Sequence, residues 1–276
     1  MVDGSETSDV LPVGNLPWRG ATSVDLPVPS VALAIAAHPD DVEFGCGATL
    51  AKWARGGCRI HHLILTDGSK GTWAADDDVA ALVERRRDEQ RDAARVLAGG
   101  AGGGDVHFLD WPDGELEAAI TQRRQVCQVI RQVRPEVVLG HDPWRRYRLH
   151  PDHRHAGWLL TDGVVAARDP KFFPDLAEPP HRPTSMLLWE ADEPNHVENA
   201  DGMLDVKVAA LLAHRSQYRS TMGIDEAGTE STGDVAGEWA SDQIAAFRSS
   251  VEKQLAAHGR LAGMAAAEAF RLITEI

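Results

Sequence analysis

The sequence lacks the features that define several protein classes. No apolar run approaches the roughly 18 uninterrupted residues of a membrane span, and the acidic N-terminal segment, residues 1–6, has no apolar signal core. Three cysteines without C-x-x-C spacing indicate neither a disulfide framework nor a thiolate zinc site, so we expect Cys46, Cys58 and Cys127 to be small buried residues. These absences predict a cytoplasmic protein without a membrane span.

Positive charge is also scarce. The 276 residues include 28 Lys and Arg against 42 Asp and Glu, which gives a net charge of −14. This charge would repel a phosphate backbone or an anionic membrane surface, so we expect no nucleic-acid partner. A content of 43% hydrophobic and 25% charged residues is typical of a globular protein. A homo-oligomer is compatible with this composition, and the sequence leaves the oligomeric state open.

The hydrophobic pattern alternates between short apolar runs and helix-length segments. It predicts strands at residues 31–36, 60–65, 106–109, 137–140 and 186–190. It predicts helices at residues 47–55, 78–97, 116–133, from 151 onward, 204–214 and 239–257. This alternation predicts a single α/β domain over residues 30–276, with a Rossmann-like, doubly wound and mostly parallel sheet. We expect residues 1–29 to form an extended or partly disordered arm and residues 223–237 to form a mobile loop.

A first group of chemically active residues follows the first apolar run. His38, Asp40, Asp41 and Glu43 lie within six positions, at a strand end where open parallel sheets bind ligands. Carboxylates this close raise one another's pKa unless a cation compensates. His38 and Asp41 could coordinate one divalent ion from a tight turn, which leaves Asp40 free to handle protons. The alternative is that Asp40 or Asp41 caps the following helix and that His38 is an ordinary hydrogen-bonded histidine.

A second group follows the predicted strand at residues 137–140. Four of the 12 histidines fall within residues 141–155. His150 and His153 are three positions apart, and Pro151 suits the first turn of a helix, so both rings could face one cavity. A histidine pair with one carboxylate would complete a three-ligand catalytic zinc site with an open position. The alternative is a pH-sensitive surface loop or a set of helix-capping residues.

Together the two groups resemble a known family. Ala37-His38-Pro39-Asp40-Asp41 and His150-Pro151-Asp152-His153 are similar to the motifs of the PIG-L/LmbE-like zinc-dependent N-acetylglucosaminyl de-N-acetylases, and weaker similarities extend over about residues 30–276. The resemblance implies that His38, Asp41 and His153 bind the metal and that Asp40 is the general base. It implies that His150 protonates the departing amine or steadies the oxyanion, while Asp152 orients a histidine.

The resemblance also implies a substrate class. Arg86 and Asp113 match residues that hold sugar or inositol hydroxyls, although a solvated helix charge and a turn aspartate are the plainer alternatives. The expected activity is removal of an N-acetyl group from a small amino-sugar-containing molecule. The expected cofactor is Zn²⁺, and Fe²⁺ or another divalent metal accepts the same donors. One departure is Arg148, which stands where glycosylinositol deacetylases have a tyrosine that donates to the oxyanion, while Tyr147 lies one residue earlier. Either Arg148 takes over that role, or the metal and His150 alone hold the oxyanion.

Two other functions are compatible with these motifs. One is an amidase that acts on larger acyl groups of glycosylated thiols or natural-product conjugates, because the same residues serve both reactions. The other is a non-catalytic protein that binds a metal or a carbohydrate. Release of acetate from an N-acetylglucosaminide would distinguish the expected deacetylase from a binding protein.

Overall fold

The structure is a computed structural model that describes residues 22–100, 104–225 and 234–276. The described strands are β1 (Ser23–Val24), β2 (Val31–Ala36), β3 (Arg59–Thr66), β4 (Asp105–Trp111), β5 (Val137–His141), β6 (Ser185–Trp189), β7 (His196–Asn199) and β8 (Ala267–Ile273). The described α-helices are α1 (Asp41–Arg55), α2 (Val79–Leu97), α3 (Ile120–Val133), α4 (Pro151–Arg168), α5 (Leu204–Leu211) and α6 (Asp234–Gly259). None of the helices in these ranges combines the length and the apolar character that crossing a bilayer requires.

These strands form one eight-stranded sheet in the order β1-β7-β8-β6-β5-β2-β3-β4. Strands β2 to β6 pair in parallel, whereas β8 runs antiparallel to both β6 and β7. The predicted Rossmann-like, mostly parallel sheet is confirmed. Because β2 and β5 are neighbours, the segments that follow these two strands meet near the middle of the carboxyl edge of the sheet.

Helices cover both faces of the sheet. Alternate residues of a strand point to opposite faces, and in β2 the three alanines at positions 32, 34 and 36 join a core with residues of α1, α2, α5 and α6. Leu33 and Ile35 join a second core with residues of α3 and α4. The fold is therefore doubly wound, as predicted. The three cysteines are buried free thiols, which confirms that prediction as well.

Helix α1 is longer than predicted and contains a kink. It begins at Asp41 rather than near residue 47, and Cys46 interrupts the helical geometry with φ −148° and ψ 20°. Helix α3 is shorter than predicted, since it begins at Ile120 rather than at residue 116. The carboxylate of Asp152 accepts the backbone N–H groups of Gly114 at 2.6 Å and Leu116 at 3.2 Å, which keeps this segment outside the helix.

A buried ion pair satisfies the backbone groups at the kink of α1. In a regular helix the N–H of Ala48 would donate to the carbonyl of Phe44. Instead, Glu268 accepts the N–H groups of Ala48 at 3.0 Å and Thr49 at 2.8 Å. Lys207 Nζ donates to the carbonyl of Phe44 at 2.7 Å and to Glu268 at 2.5 Å. The pair therefore replaces the helical hydrogen bond that the kink breaks.

The chain ends differ from the sequence pattern in detail. Strands β1, β7 and β8 were not predicted. Strand β1 lies within the expected arm and pairs with β7. The rest of that arm, residues 1–21, lies outside the described residues, so the domain boundary at residue 29 stays a prediction. Helix α6 begins inside the expected loop at residues 223–237. Residues 226–233 of that loop also lie outside the described part of the chain.

Candidate active site

Three side chains converge beyond the ends of β2 and β5. His38 Nδ1 lies 3.2 Å from His153 Nε2 and 3.3 Å from Asp41 Oδ2. His153 Nε2 lies 3.2 Å from Asp41 Oδ1. A tetrahedral zinc ion with bonds of about 2.0–2.2 Å has ligand atoms about 3.3–3.6 Å apart, so the spacing of these donors is close to what such an ion needs. The structure thus brings together the three residues predicted to bind the metal.

The turn between β2 and α1 presents both of its aspartates to this site. Asp40 precedes the helix with φ 99°, and its side chain makes no capping hydrogen bond. Asp41 is the first helical residue, and its Oδ2 accepts the backbone N–H of His38 at 2.8 Å. Neither carboxylate caps α1, contrary to the plainer alternative, so both are available for chemistry.

Asp40 has the electrostatic character of a proton acceptor. Burial raises the pKa of Asp40 to about 6, and the Arg86 guanidinium opposes that rise from 3.7 Å. The backbone N–H of Asp40 donates to Gln90 Oε1 at 3.0 Å, which fixes the turn. A general base works best when its pKa lies near the working pH. The environment of Asp40 therefore suits this role.

Two carboxylates hold the other nitrogen of His38. Its Nε2 lies 3.1 Å from Asp113 Oδ1 and 3.2 Å from Asp152 Oδ2. Burial alone would lower the pKa of His38, but hydrogen bonds to Asp113, Asp152 and Asp41 hold it well above its usual range. Metal-binding histidines commonly donate their second N–H to a carboxylate. Asp152 and Asp113 thus orient the ring so that Nδ1 faces His153.

Asp41 and His153 also have charge states that suit metal binding. Burial would raise the pKa of Asp41, but the nearby His153 and His141 rings hold it well below its usual range. Burial lowers the pKa of His153, which favours the neutral ring that a metal needs. Four carboxylates, at positions 40, 41, 113 and 152, are concentrated around His38. Such concentrated negative charge favours a bound cation.

His150 lies on the open side of the cluster. It directly precedes α4, and its ring centroid is 4.7 Å from that of His38 and 4.7 Å from that of His153. The side chain is exposed, whereas His38 is buried. Partial burial and the His38 ring lower the pKa of His150. This exposed position suits a group that exchanges protons with a substrate, and His150 also lies within reach of a second possible donor set with His38 and Asp152.

The two predicted substrate-binding residues lie beneath the site. Arg86 is 3% exposed, and its guanidinium donates to the carbonyls of Gly68 at 2.8 Å and Pro39 at 2.7 Å. Asp113 is 5% exposed and also accepts the N–H of Lys70 at 3.0 Å. Both side chains therefore hold neighbouring loops together. Substrate binding by Arg86 and Asp113 stays a prediction.

Arg148 also lies within this network. Its Nη1 is 3.2 Å from His153 Nδ1, and its guanidinium pairs with Glu190. The side chain is only 8% exposed. Arg148 therefore contacts the back of a candidate ligand rather than the open side of the cluster, where His150 lies.

The sequence indicated no role for several residues that support the site, including Glu43, which it had placed in the first group. His141 Nε2 lies 3.2 Å from Asp41 Oδ2, and its place at the end of β5 in a histidine-rich segment was a usable signal. Glu43 Oε1 accepts a hydrogen bond from Gln90 Nε2 at 2.9 Å, and Glu43 Oε2 lies 3.2 Å from His214 Nε2. These partners are distant in sequence, so no local pattern could reveal them.

The fold and the site together define a class of metal-binding α/β protein. A doubly wound α/β sheet carries a histidine–aspartate cluster that could hold one metal ion beside a free carboxylate. Residues 33–163 match the model of the PIG-L family, described as GlcNAc-PI de-N-acetylase.

Individual relatives agree with that match. Diacetylchitobiose deacetylase of Thermococcus kodakarensis is 36% identical over 189 residues, which cover 67% of this chain and 69% of that protein. A 1D-myo-inositol 2-acetamido-2-deoxy-alpha-D-glucopyranoside deacetylase of Kineococcus radiotolerans is 31% identical over 260 residues, with 72% and 71% covered. The structure of N,N'-diacetylchitobiose deacetylase from Pyrococcus horikoshii superposes with a TM-score of 0.74 at 25% identity, covering 89% of this chain and 84% of that one. The chain belongs to the PIG-L family of de-N-acetylases, which confirms the resemblance found in the sequence.

Proposed function

We propose that this protein removes the N-acetyl group from a small molecule that contains an amino sugar. The observation that carries the proposal is the convergence of His38, Asp41 and His153: the two imidazole nitrogens lie 3.2 Å apart, and each lies within 3.3 Å of a carboxylate oxygen of Asp41. The carboxyl of Asp40, which does not cap the helix, lies beside them. The named activities of the two relatives, on diacetylchitobiose and on an acetamidoglucosyl inositol, support this substrate class.

We propose zinc as the metal, held by His38, Asp41 and His153. Two imidazoles and one carboxylate are a common catalytic zinc set that leaves a position open, and ferrous iron accepts the same donors. A bound divalent metal lowers the pKa of water and polarises a carbonyl. Asp113 and Asp152 would keep the His38 ring in place through its second nitrogen.

Two side chains would move the protons of the reaction. Asp40 accepts the proton of the attacking water, and its hydrogen bond to Gln90 keeps the turn in position. His150, on the open side of the cluster, donates a proton to the departing amine. A positioned acid or base typically contributes about 10²–10⁴-fold to such a step.

An acetate-release assay combined with metal analysis tests the proposal. Suitable substrates are N-acetylglucosamine, N,N'-diacetylchitobiose and an acetamidoglucosyl inositol. Asp40→Asn should lose about 10²-fold or more in turnover while it keeps its metal, whereas His153→Ala should lose the metal. The matched control Asp88→Asn changes an exposed aspartate of α2 and should behave like the wild type.

Each other outcome has a defined meaning. Wild-type turnover by Asp40→Asn would exclude Asp40 as the base. Release of longer acids, but not acetate, from N-acylated sugars would identify an amidase for larger acyl groups. Sugar binding without turnover in the zinc-loaded protein would indicate a binding module and contradict the proposed activity.

A further inference from the structure

His141 forms a bridge between the candidate metal site and strand β6. It is the last residue of β5 and is 1% exposed, and its register partner Trp189 is the last residue of β6 and also 1% exposed. Trp189 Nε1 donates to His141 Nδ1 at 3.0 Å. On the opposite side of the ring, His141 Nε2 lies 3.2 Å from Asp41 Oδ2.

The indole contact determines which nitrogen of His141 carries the proton. An indole N–H can only donate, so His141 Nδ1 must accept. The proton of the neutral ring then lies on Nε2, which points at Asp41. Glu190 is the other group near Nδ1, but its Oε2 is 3.8 Å away, beyond hydrogen-bond distance. His141 is therefore fixed as a donor to Asp41.

This donor occupies one oxygen of Asp41. Oδ2 also accepts the backbone N–H of His38 at 2.8 Å, so two donors share that oxygen. Both oxygens face a candidate ligand nitrogen, Oδ1 at 3.2 Å from His153 Nε2 and Oδ2 at 3.3 Å from His38 Nδ1, but Oδ2 is the oxygen that the two donors share. We infer that His141, held by Trp189, is a positioning residue that makes Asp41 bind the metal through Oδ1 alone. Binding through one oxygen would keep a coordination position of the metal open for the substrate. The inference rests on the proposed metal-dependent function.

Helix α1 contributes a glycine to the same arrangement. A Cβ atom at Gly45 would lie only 2.5 Å from Trp189 Cδ2. The indole therefore packs directly against the backbone of the helix turn that begins with Asp41, four residues earlier. A side chain at position 45 would displace the Trp189 indole. Glycine at this position therefore lets the indole N–H reach His141.

Zinc affinity and cobalt spectroscopy of the intact protein test this inference. His141→Leu removes the donor, and we expect the zinc Kd from chelator competition to rise about 10–100-fold. Cobalt(II) absorption weakens as coordination number rises, so the cobalt form of His141→Leu should show weaker visible bands if Asp41 becomes a two-oxygen ligand. His141→Gln keeps an N–H donor and should restore both properties. The control His61→Leu removes a buried histidine of β3 and should match the wild type.

The outcomes separate this inference from the proposed function. An unchanged zinc Kd and an unchanged cobalt spectrum in His141→Leu would overturn the role of His141 even if the wild type releases acetate. A wild-type protein that binds neither zinc nor cobalt would overturn the proposed function instead.

Should His141→Leu fail to fold, Trp189→Phe takes its place. This variant keeps an aromatic ring without the N–H, and wild-type metal binding by it would equally refute the inference.

Discussion

Gln90 Oε1 accepts a hydrogen bond from the backbone N–H of Asp40 at 3.0 Å, across 50 positions of sequence. The contact holds a residue whose φ of 99° is unfavourable for a side chain with a Cβ atom. Such strain costs about 1–3 kcal/mol and persists only where the surroundings fix it. Glu43 fixes Gln90 in turn through a 2.9 Å hydrogen bond. The geometry of the candidate base thus depends on α2 as much as on its own turn.

Replacing Gln90 should therefore reduce both stability and activity. Gln90→Leu leaves the N–H of Asp40 buried without its partner, and we expect the free energy of unfolding to fall by about 1–3 kcal/mol. Turnover should fall as well, because the turn is no longer fixed. Urea denaturation and acetate release measure the two effects. Gln128→Leu, at a partly exposed position of α3, is the matched control. Equal stability and equal turnover of the two variants would contradict the role of Gln90 in holding the Asp40 turn.

The strain at Asp40 predicts an unusual order of stability among its variants. A positive φ costs an L-residue roughly 1–2 kcal/mol but costs glycine little. Asp40→Gly should therefore be more stable than Asp40→Ala by about that amount, although both variants lack the carboxyl group and should be nearly inactive. Thermal unfolding of the pair measures the difference. Equal melting temperatures would show that position 40 carries no strain.

The ion pair at the kink of α1 predicts a large loss of stability on breaking one partner. Lys207→Met leaves Glu268 buried without its counterion, and we expect a loss of about 3–5 kcal/mol in the free energy of unfolding. The double variant Lys207→Met/Glu268→Gln removes both charges and should recover part of this loss. Guanidinium denaturation measures both. A single variant as stable as the wild type would mean that the pair contributes nothing.

His62 should make the folded state sensitive to mild acid. Burial lowers the pKa of His62 from 6.5 to about 4, so between these values the unfolded chain binds a proton that the folded protein does not. Stability should consequently fall as the pH drops through this window, by at most about 1.4 kcal/mol per pH unit. His62→Gln cannot titrate there and should show a shallower decline. Parallel curves for the two proteins would refute the prediction.

Metal removal should lower the melting temperature of the variants that bind the metal and leave that of the others unchanged. A ligand present at 100 times its Kd stabilises the folded state by about 2.7 kcal/mol. Zinc should therefore raise the melting temperature of the chelator-treated wild type and leave that of His153→Ala unchanged. His181→Ala, which removes a partly buried ring whose Nε2 contacts the carbonyl of Pro135, serves as the control. The same zinc shift in His153→Ala as in the wild type would remove His153 from the ligand set.

The sequence predicted the parallel part of the sheet better than its edge. The strands around β2 and β5 are continuous apolar runs, which is the pattern of strands buried on both faces. Strands β1 and β7 are short and have no such run, and their pairing depends on residues about 170 positions apart. Strand β6 ends one residue earlier than predicted because Glu190 adopts φ 57°, which leaves the extended conformation.

Within the site, the motifs predicted which residues meet but not how they are oriented. The spacing of His150 and His153 correctly indicated a helix that begins at Pro151. It could not show that Asp152 would reach His38 Nε2 rather than another histidine. That contact depends on how α4 packs beside the turn after β2. Such orientations follow from tertiary packing, which a local pattern does not encode.

Because β2 and β5 are neighbours, binding of a metal at the proposed site would depend on the correct register of these two strands. Val138 of β5 lies opposite Leu33 of β2, and a slip of one residue would turn the following side chains to the other face. His38 and His153 could then no longer approach each other. With the zinc site as proposed, retention of the ion after refolding would report the quality of the fold, because a molecule with a misaligned central sheet would lose the ion during gel filtration.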